Sequence, residues 1–211
     1  NYLELVRMEH LDLPEKADKY INEAIIHANK TSVMVDEILE YARLEHAPLN
    51  LSEIDTEQLT KLIVRSMKET IKQNDAEIIL NNLPPIVADE NLLKIVITNI
   101  IGNALKYRSA APPRIEINID ENEDVWQYSI QDNGCGMSEK DAEKAFIMFE
   151  RAAETKNITG TGIGLAICQR IIDLHNGEIW VTSKPDQGST FFLPSQNHNS
   201  GRTICPANHQ K

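Results

Sequence analysis

From Pro14 to about Glu45 apolar residues recur at helical spacing. Ile21, Ala24, Ile25, Ala28, Val35, Ile38, Leu39 and Ala42 fall on three neighbouring heptad lines, broken only at Thr31 and Ser32. The pattern predicts one long helix with a stripe that needs a second helix to cover it. The preceding NYLELVRMEHLDLP reads as the end of an earlier helix and a turn, with Pro14 at a favoured first-turn position. An antiparallel helical hairpin is expected. One hairpin buries little alone, so two would pair as a four-helix bundle.

Beyond residue 47 helix and strand periods mix. LNLSEI alternates as a strand, and Asp55 with Gln58 forms a capping-box pattern opening TEQLTKLIVRSMKETIKQ as one helix. EIILNNL is a further strand, and Asp89 caps the apolar helix ENLLKIVITNIIGNALKY. RIEINI and VWQYSI alternate on either side of DENED, as in a hairpin lying on helices. A helix from Ser138 leads to FIMFER, then polar AAETKNIT, then GTGIGLAICQRIIDLHNG, a helix closed by Gly177. EIWVT and STFFL form a last hairpin around KPDQG, and the polar run from about Ser195 is expected to be loose. The chain divides into a helical part (1–46), a mixed α+β domain (47–194) and a tail (195–211).

With 211 residues, 41% of them hydrophobic, the chain can bury a sizeable core. Its formal charge of -11 gives no footprint for a nucleic-acid backbone or an anionic membrane, so a phosphate-bearing ligand must be held locally. Cys135, Cys168 and Cys205 lack paired metal-ligand spacing, which points to reduced thiols and a cytoplasmic setting. No apolar stretch approaches the roughly 20 residues that span a bilayer, and no signal peptide is visible. The first residue is Asn, so a piece of a longer protein is expected, with any sensor or membrane anchor upstream.

Three stretches carry chemistry. At about 100° per residue, Asn99, Asn103 and Lys106 share a narrow arc bordering the apolar face of their helix. A solvated edge explains one Asn. Two amides and an ammonium beside a core face fit the rim of a cleft better, where an Asn oxygen can ligate Mg²⁺ and Lys106 can face phosphates. In QDNGCGM, Asp132 ends a strand, and an ionised carboxylate there can accept from an exocyclic amine such as adenine's while repelling guanine's carbonyl. Gly134 and Gly136 would let the backbone pass a flat ring, although Asn-Gly is equally a tight-turn dipeptide, and the heptapeptide alone leaves both open. In GTGIGLA, Gly160, Gly162 and Gly164 run into a helix start suited to phosphates. It is not a P-loop, and no strand precedes it as in a Rossmann fingerprint; a flexible lid over phosphates reads more naturally.

In this order N-x-x-x-N-A-x-K-Y, D-x-G-x-G-M, F-x-x-F-E-R and G-T-G-x-G-L-A closely resemble the N, G1, F and G2 boxes of sensor histidine kinases. The resemblance covers roughly residues 15 to 194, with EILEYARL at the exit of the dimerisation hairpin, and NALKYRSAAPPRIEI is most similar to the phytochrome-type group. It implies a Bergerat fold, an α/β sandwich with a mixed sheet packed on helices, shared with DNA gyrase, heat-shock chaperones and mismatch-repair ATPases. By position, the resemblance implies that Asp132 binds the adenine amine, Asn103 holds Mg²⁺ with help from Asn99, and Lys106 and Arg151 hold the phosphates of ATP. It implies that Tyr107 packs by the nucleotide and that Ser189 supports the adenine end. Gly134, Gly136, Gly160, Thr161, Gly162, Gly164 and Leu165 would then shape pocket and lid.

The superfamily's ATPases place a water-activating Glu four residues before the metal Asn; here that place is Asn99, which cannot take a proton at neutral pH. The γ-phosphoryl group is then left for a His nucleophile. The family pattern wants His, an acidic residue and Pro five positions after the His. His10 is followed by Leu11, with Pro14 four positions on, and His27, His46, His175, His198 and His209 fit no better. The acceptor is expected upstream of Asn1, so this chain would not phosphorylate itself. The resemblance implies a parent that autophosphorylates as a homodimer and passes phosphate to a response-regulator receiver domain in a two-component phosphorelay. Two alternatives stand beside it: a Bergerat-fold Ser/Thr kinase of the anti-sigma type, which lacks such a hairpin, and a non-catalytic nucleotide-binding scaffold.

Overall fold

The computed structural model of the protein describes residues 6, 14–44, 48–122, 125–151 and 160–196. His10, His46, His198 and His209 and the polar segment 152–159 lie outside them. Helix α1 (Glu15–Leu44) opens with the Pro14 carbonyl accepting from the amides of Ala17 and Asp18. The expected stripe is largely open to solvent: Val35, Ile38 and Leu39 are 49, 39 and 50% exposed. A different face, carrying Met34, Tyr41 and Leu44, packs on the core of the following domain.

That domain comprises β1 (Ser52–Ile54), α2 (Thr56–Ser66), α3 (Lys68–Gln73), β2 (Glu77–Leu80), β3 (Ile86–Ala88), α4 (Glu90–Lys106), β4 (Arg114–Asn122) and β5 (Val125–Asp132). It continues with α5 (Glu139–Glu143), α6 (Gly164–Leu174), β6 (Trp180–Ser183) and β7 (Ser189–Gln196). Five strands form a sheet in the order β2-β4-β5-β7-β6, with β2 parallel to β4 and the other neighbours antiparallel. Alternate residues of its inner face, Ile115, Ile117, Ile119, Tyr128, Ile130, Phe191 and Leu193, are buried in one cluster with Ile63 of α2, Ile97 and Ile101 of α4 and Ile171 of α6. The α+β sandwich with its mixed sheet and leading helix is the fold class expected.

Local details depart from the sequence reading. The helix expected over 56–73 breaks at Met67, whose backbone leaves the helical region (φ -96, ψ 8) where Met67 and Ile71 pack on the core. β3 was not expected; it pairs with β1, Ser52 opposite Ala88. The helix from Ser138 spans only Glu139–Glu143. At the end of α6 the left-handed residue is Asn176 (φ 53), not Gly177, and Gly177 instead donates to the Ile172 carbonyl, completing a Schellman turn. β7 runs to Gln196, two residues past the expected boundary, because β5 offers partners as far as Val125.

Among the described residues, the core contains the buried hydroxyl pair of Thr60 and Tyr128. Thr60 Oγ1 donates to the Thr56 carbonyl (2.7 Å), so the Tyr128 hydroxyl must donate to Thr60 Oγ1 (3.0 Å). Burial pushes the Tyr128 hydroxyl up to about 12, with Thr60 pulling partly back. Because the folded value lies above the unfolded one of about 10, the stabilisation is complete below about pH 10 and is lost as pH rises towards 12. Tyr128→Phe is expected to cost about 1 kcal/mol at neutral pH and to remove this part of the alkaline loss, measured by urea unfolding across pH. An unchanged alkaline profile would refute the assignment.

Candidate functional site

Helix α4 supplies one wall of a cavity of about 430 Å³. Asp89 caps this helix: its Oδ1 accepts the amides of Asn91 and Leu92, and its Oδ2 that of Asn50, just beyond α1. The His175 ring also accepts from the Asp89 amide at 3.0 Å, tying the end of α6 to the start of α4. The predicted arc therefore faces the cavity from a fixed helix: Asn99, Asn103, Lys106 and, just past the helix, Tyr107 all line it. Asn99 Nδ2 donates to the Ile95 carbonyl (3.2 Å), which turns its oxygen towards Gly164. Lys106 Nζ lies 4.8 Å from the Tyr107 ring centre.

Opposite, Asp132 ends β5. Its Oδ1 accepts the amides of Gly134 (2.8 Å) and Ser189 (3.2 Å), and among the described residues none donates to Oδ2. Burial pushes this carboxyl above the ordinary Asp value, with those two amides drawing it partly back. Gly134 alone of the predicted site residues does not line the cavity; it stands behind Asp132 and orients it. Gly136 does line it, at φ 66, where a Cβ would overlap the Lys184 carbonyl. Ser189 is at the same end.

Gly160, Thr161, Gly162, Gly164 and Leu165 form the third side with Arg151. Arg151 donates to the Gly160 carbonyl (3.3 Å) and the Phe149 amide to that of Gly162 (2.9 Å), so the two sides of the glycine-rich segment meet. Helix α6 starts there with no side-chain cap and no acidic residue in its first turn, leaving amides for an anion.

Sequence reasoning missed several residues. Ser183 Oγ accepts from the Met137 amide (2.7 Å), donates to the Gly188 carbonyl (2.9 Å) and meets Ser189 Oγ at 2.9 Å, bracing the loop after Asp132. Its place before KPDQG gave no chemical signal. Cys135 and Met137, inside the quoted motif, also line the cavity, as do Lys144 and, from α1, Glu37.

A carboxylate, two amide side chains, two cations and an open helix start surround one cavity of an α/β sandwich. The chain belongs to the family described as histidine kinase-, DNA gyrase B-, and HSP90-like ATPase, which matches residues 88–197. It is 34% identical over 194 residues to the phytochrome-like protein Cph1 of Synechocystis sp., covering 92% of this chain and 26% of that protein. The chain thus spans about a quarter of the length of the first curated relatives it matches. Among solved structures, histidine kinase ThkA in complex with response regulator TrrA superposes with a TM-score of 0.71 at 27% identity, over 94% of this chain and 57% of that one. Full-length ShkA in complex with AMPPNP gives 0.68 at 25% identity, over 92% and 42%.

Proposed function

We propose that this chain is the ATP-binding catalytic module of a histidine protein kinase, with part of its dimerisation hairpin. The observation that carries the reading is the convergence of Asn99, Asn103, Lys106, Asp132 and Arg151 on one cavity. Asp132 Oδ2 accepts the adenine amine while its Oδ1 stays on the Gly134 and Ser189 amides. The side-chain oxygens of Asn103 and Asn99 suit Mg²⁺, a hard cation that takes few protein ligands when phosphates supply the rest. That ion would offset charge on the β- and γ-phosphates. Lys106, Arg151 and the amides at the start of α6 hold the phosphates, and Asn99 activates no water, so positioning directs the γ-phosphoryl group to a His.

That His lies on a hairpin helix upstream of this fragment: His27 is an exposed mid-helix residue and His175 is engaged with Asp89. The open stripe of α1 supports pairing with a second copy in the parent, and the complex of ThkA with a response regulator supports a receiver domain as the next partner. Among the described residues no helix is long and apolar enough to cross a membrane. An ATP-dependent module with reduced thiols fits the cytoplasm.

The test supplies the chain with Mg·ATP and a separate hairpin bearing the family's His. Acid-labile phosphate should appear on the hairpin, and Asn103→Ala should slow it at least about 100-fold. No transfer by the unmodified, ATP-binding chain would overturn the kinase reading in favour of a nucleotide-binding scaffold.

A further inference from the structure

The face of α1 turned to the catalytic domain carries Met34, Glu37, Tyr41 and Leu44, a three-four-three spacing that sets them in one row. Three of them pack on the domain core, and Leu44 is 4% exposed. The fourth is a carboxylate. Glu37, with Val33 one turn earlier, walls the cavity that also holds Asn99, Arg151 and Gly162. Its Oε2 is buried and accepts no hydrogen bond among the described residues. Such an oxygen is costly to keep, so packing alone does not account for it.

We propose that Glu37 makes the docked helix α1 an electrostatic stop on nucleotide loading. The inference rests on the reading that the cavity takes ATP. Four carboxylates line the cavity, Glu37, Asp132, Asp141 and Glu150, against three cations, Lys106, Lys144 and Arg151. Of the four, Glu37 alone is contributed by α1, so undocking the helix removes one negative charge and brings the wall to balance. A triphosphate entering while the helix is docked meets a carboxylate whose Oε2 is shielded from solvent. Docking of α1 and binding of ATP therefore oppose each other, and by linkage each weakens the other by the same factor. A signal that shifts α1 sets how readily the site fills.

Glu37→Gln keeps the shape and removes the charge. Calorimetric titration of both proteins with Mg·ATP, Mg·ADP and adenosine should show ATP binding about tenfold more tightly to the variant, a gain of about 1.4 kcal/mol. The gain should be smaller for ADP, absent for adenosine and reduced in about 0.5 M salt. Equal or weaker ATP affinity in the variant, or the same gain for adenosine, would overturn the proposal. A lower thermal midpoint of the nucleotide-free variant together with weaker binding would assign Glu37 to packing and likewise refute it. If neither folded protein binds ATP, the ATP reading itself fails and this inference with it. Asp132-dependent binding that Glu37→Gln leaves unchanged removes only the electrostatic stop.

Discussion

Asp132→Asn will lose at least about 100-fold in ATP affinity, equivalent to roughly 3 kcal/mol. The two amides on Oδ1 decide how the replacement sits. Gly134 and Ser189 both donate there, so the Asn carbonyl oxygen must take that place and its NH₂ must take the place of Oδ2. On the proposed reading, the amide NH₂ would then face the donor amine of adenine. The loss is a reversal of polarity rather than a missing contact, and it should spare the fold. Calorimetric titration with ATP and GTP, each with and without Mg²⁺, measures it; a variant that binds ATP like the parent, or a parent that takes GTP equally well, would sink the assignment. Acidification should act in the same direction. Burial holds this carboxyl above its ordinary value, so adenosine affinity should fall with pH while an exposed carboxylate would still be ionised.

Gly188→Ala carries the largest expected cost in stability, about 3 kcal/mol or more. Gly188 turns between β6 and β7 at φ 81, and a Cβ would overlap the Asp132 carbonyl oxygen and crowd Asn133 Cα at 2.9 Å. Those neighbours are backbone and cannot swing aside. Relief would push β7 from β5 and withdraw the Ser189 amide from Asp132, so ATP binding should fall with stability. Gly102→Ala in α4 is the contrast: nothing lies within 4 Å, and helix propensity gains up to about 1 kcal/mol. Urea unfolding of the two variants checks both; a Gly188→Ala midpoint equal to the parent's would show that the turn yields more easily than its geometry implies.

The side chains of the site were more legible in the sequence than the way they are held. Asn99, Asn103 and Lys106 could be placed on one arc because helical period is local, and Asp132 could be placed at a strand end because alternation stops there. Asp55 and Asp89 cap where expected, since capping needs only two or three neighbouring residues. What stayed hidden depends on distant partners. β3 follows Pro84 and Pro85 and is defined by β1, some thirty residues earlier. Ser183 matters through bonds across a hairpin, and the turn at Met67 has no Gly or Pro to announce it. Glu37 lies off the apolar stripe of α1, so helical period alone does not mark it.

The sheet order also bears on when during synthesis this protein can first work. β7 is the last of the described strands yet lies between β5 and β6. One amide holding Asp132 comes from two residues away, the other from 57 residues away on that strand. Until β7 has emerged and paired with β5, the carboxylate has only its local anchor, the Gly134 amide. This closure over 57 residues brings in the last of the cavity's hydrogen-bonding residues in chain order, and closures of high sequence separation are slow. A nascent chain stalled before Ser189 would carry both asparagines, the lysine and the glycine-rich segment, and still hold the Asp132 carboxylate by one amide instead of two.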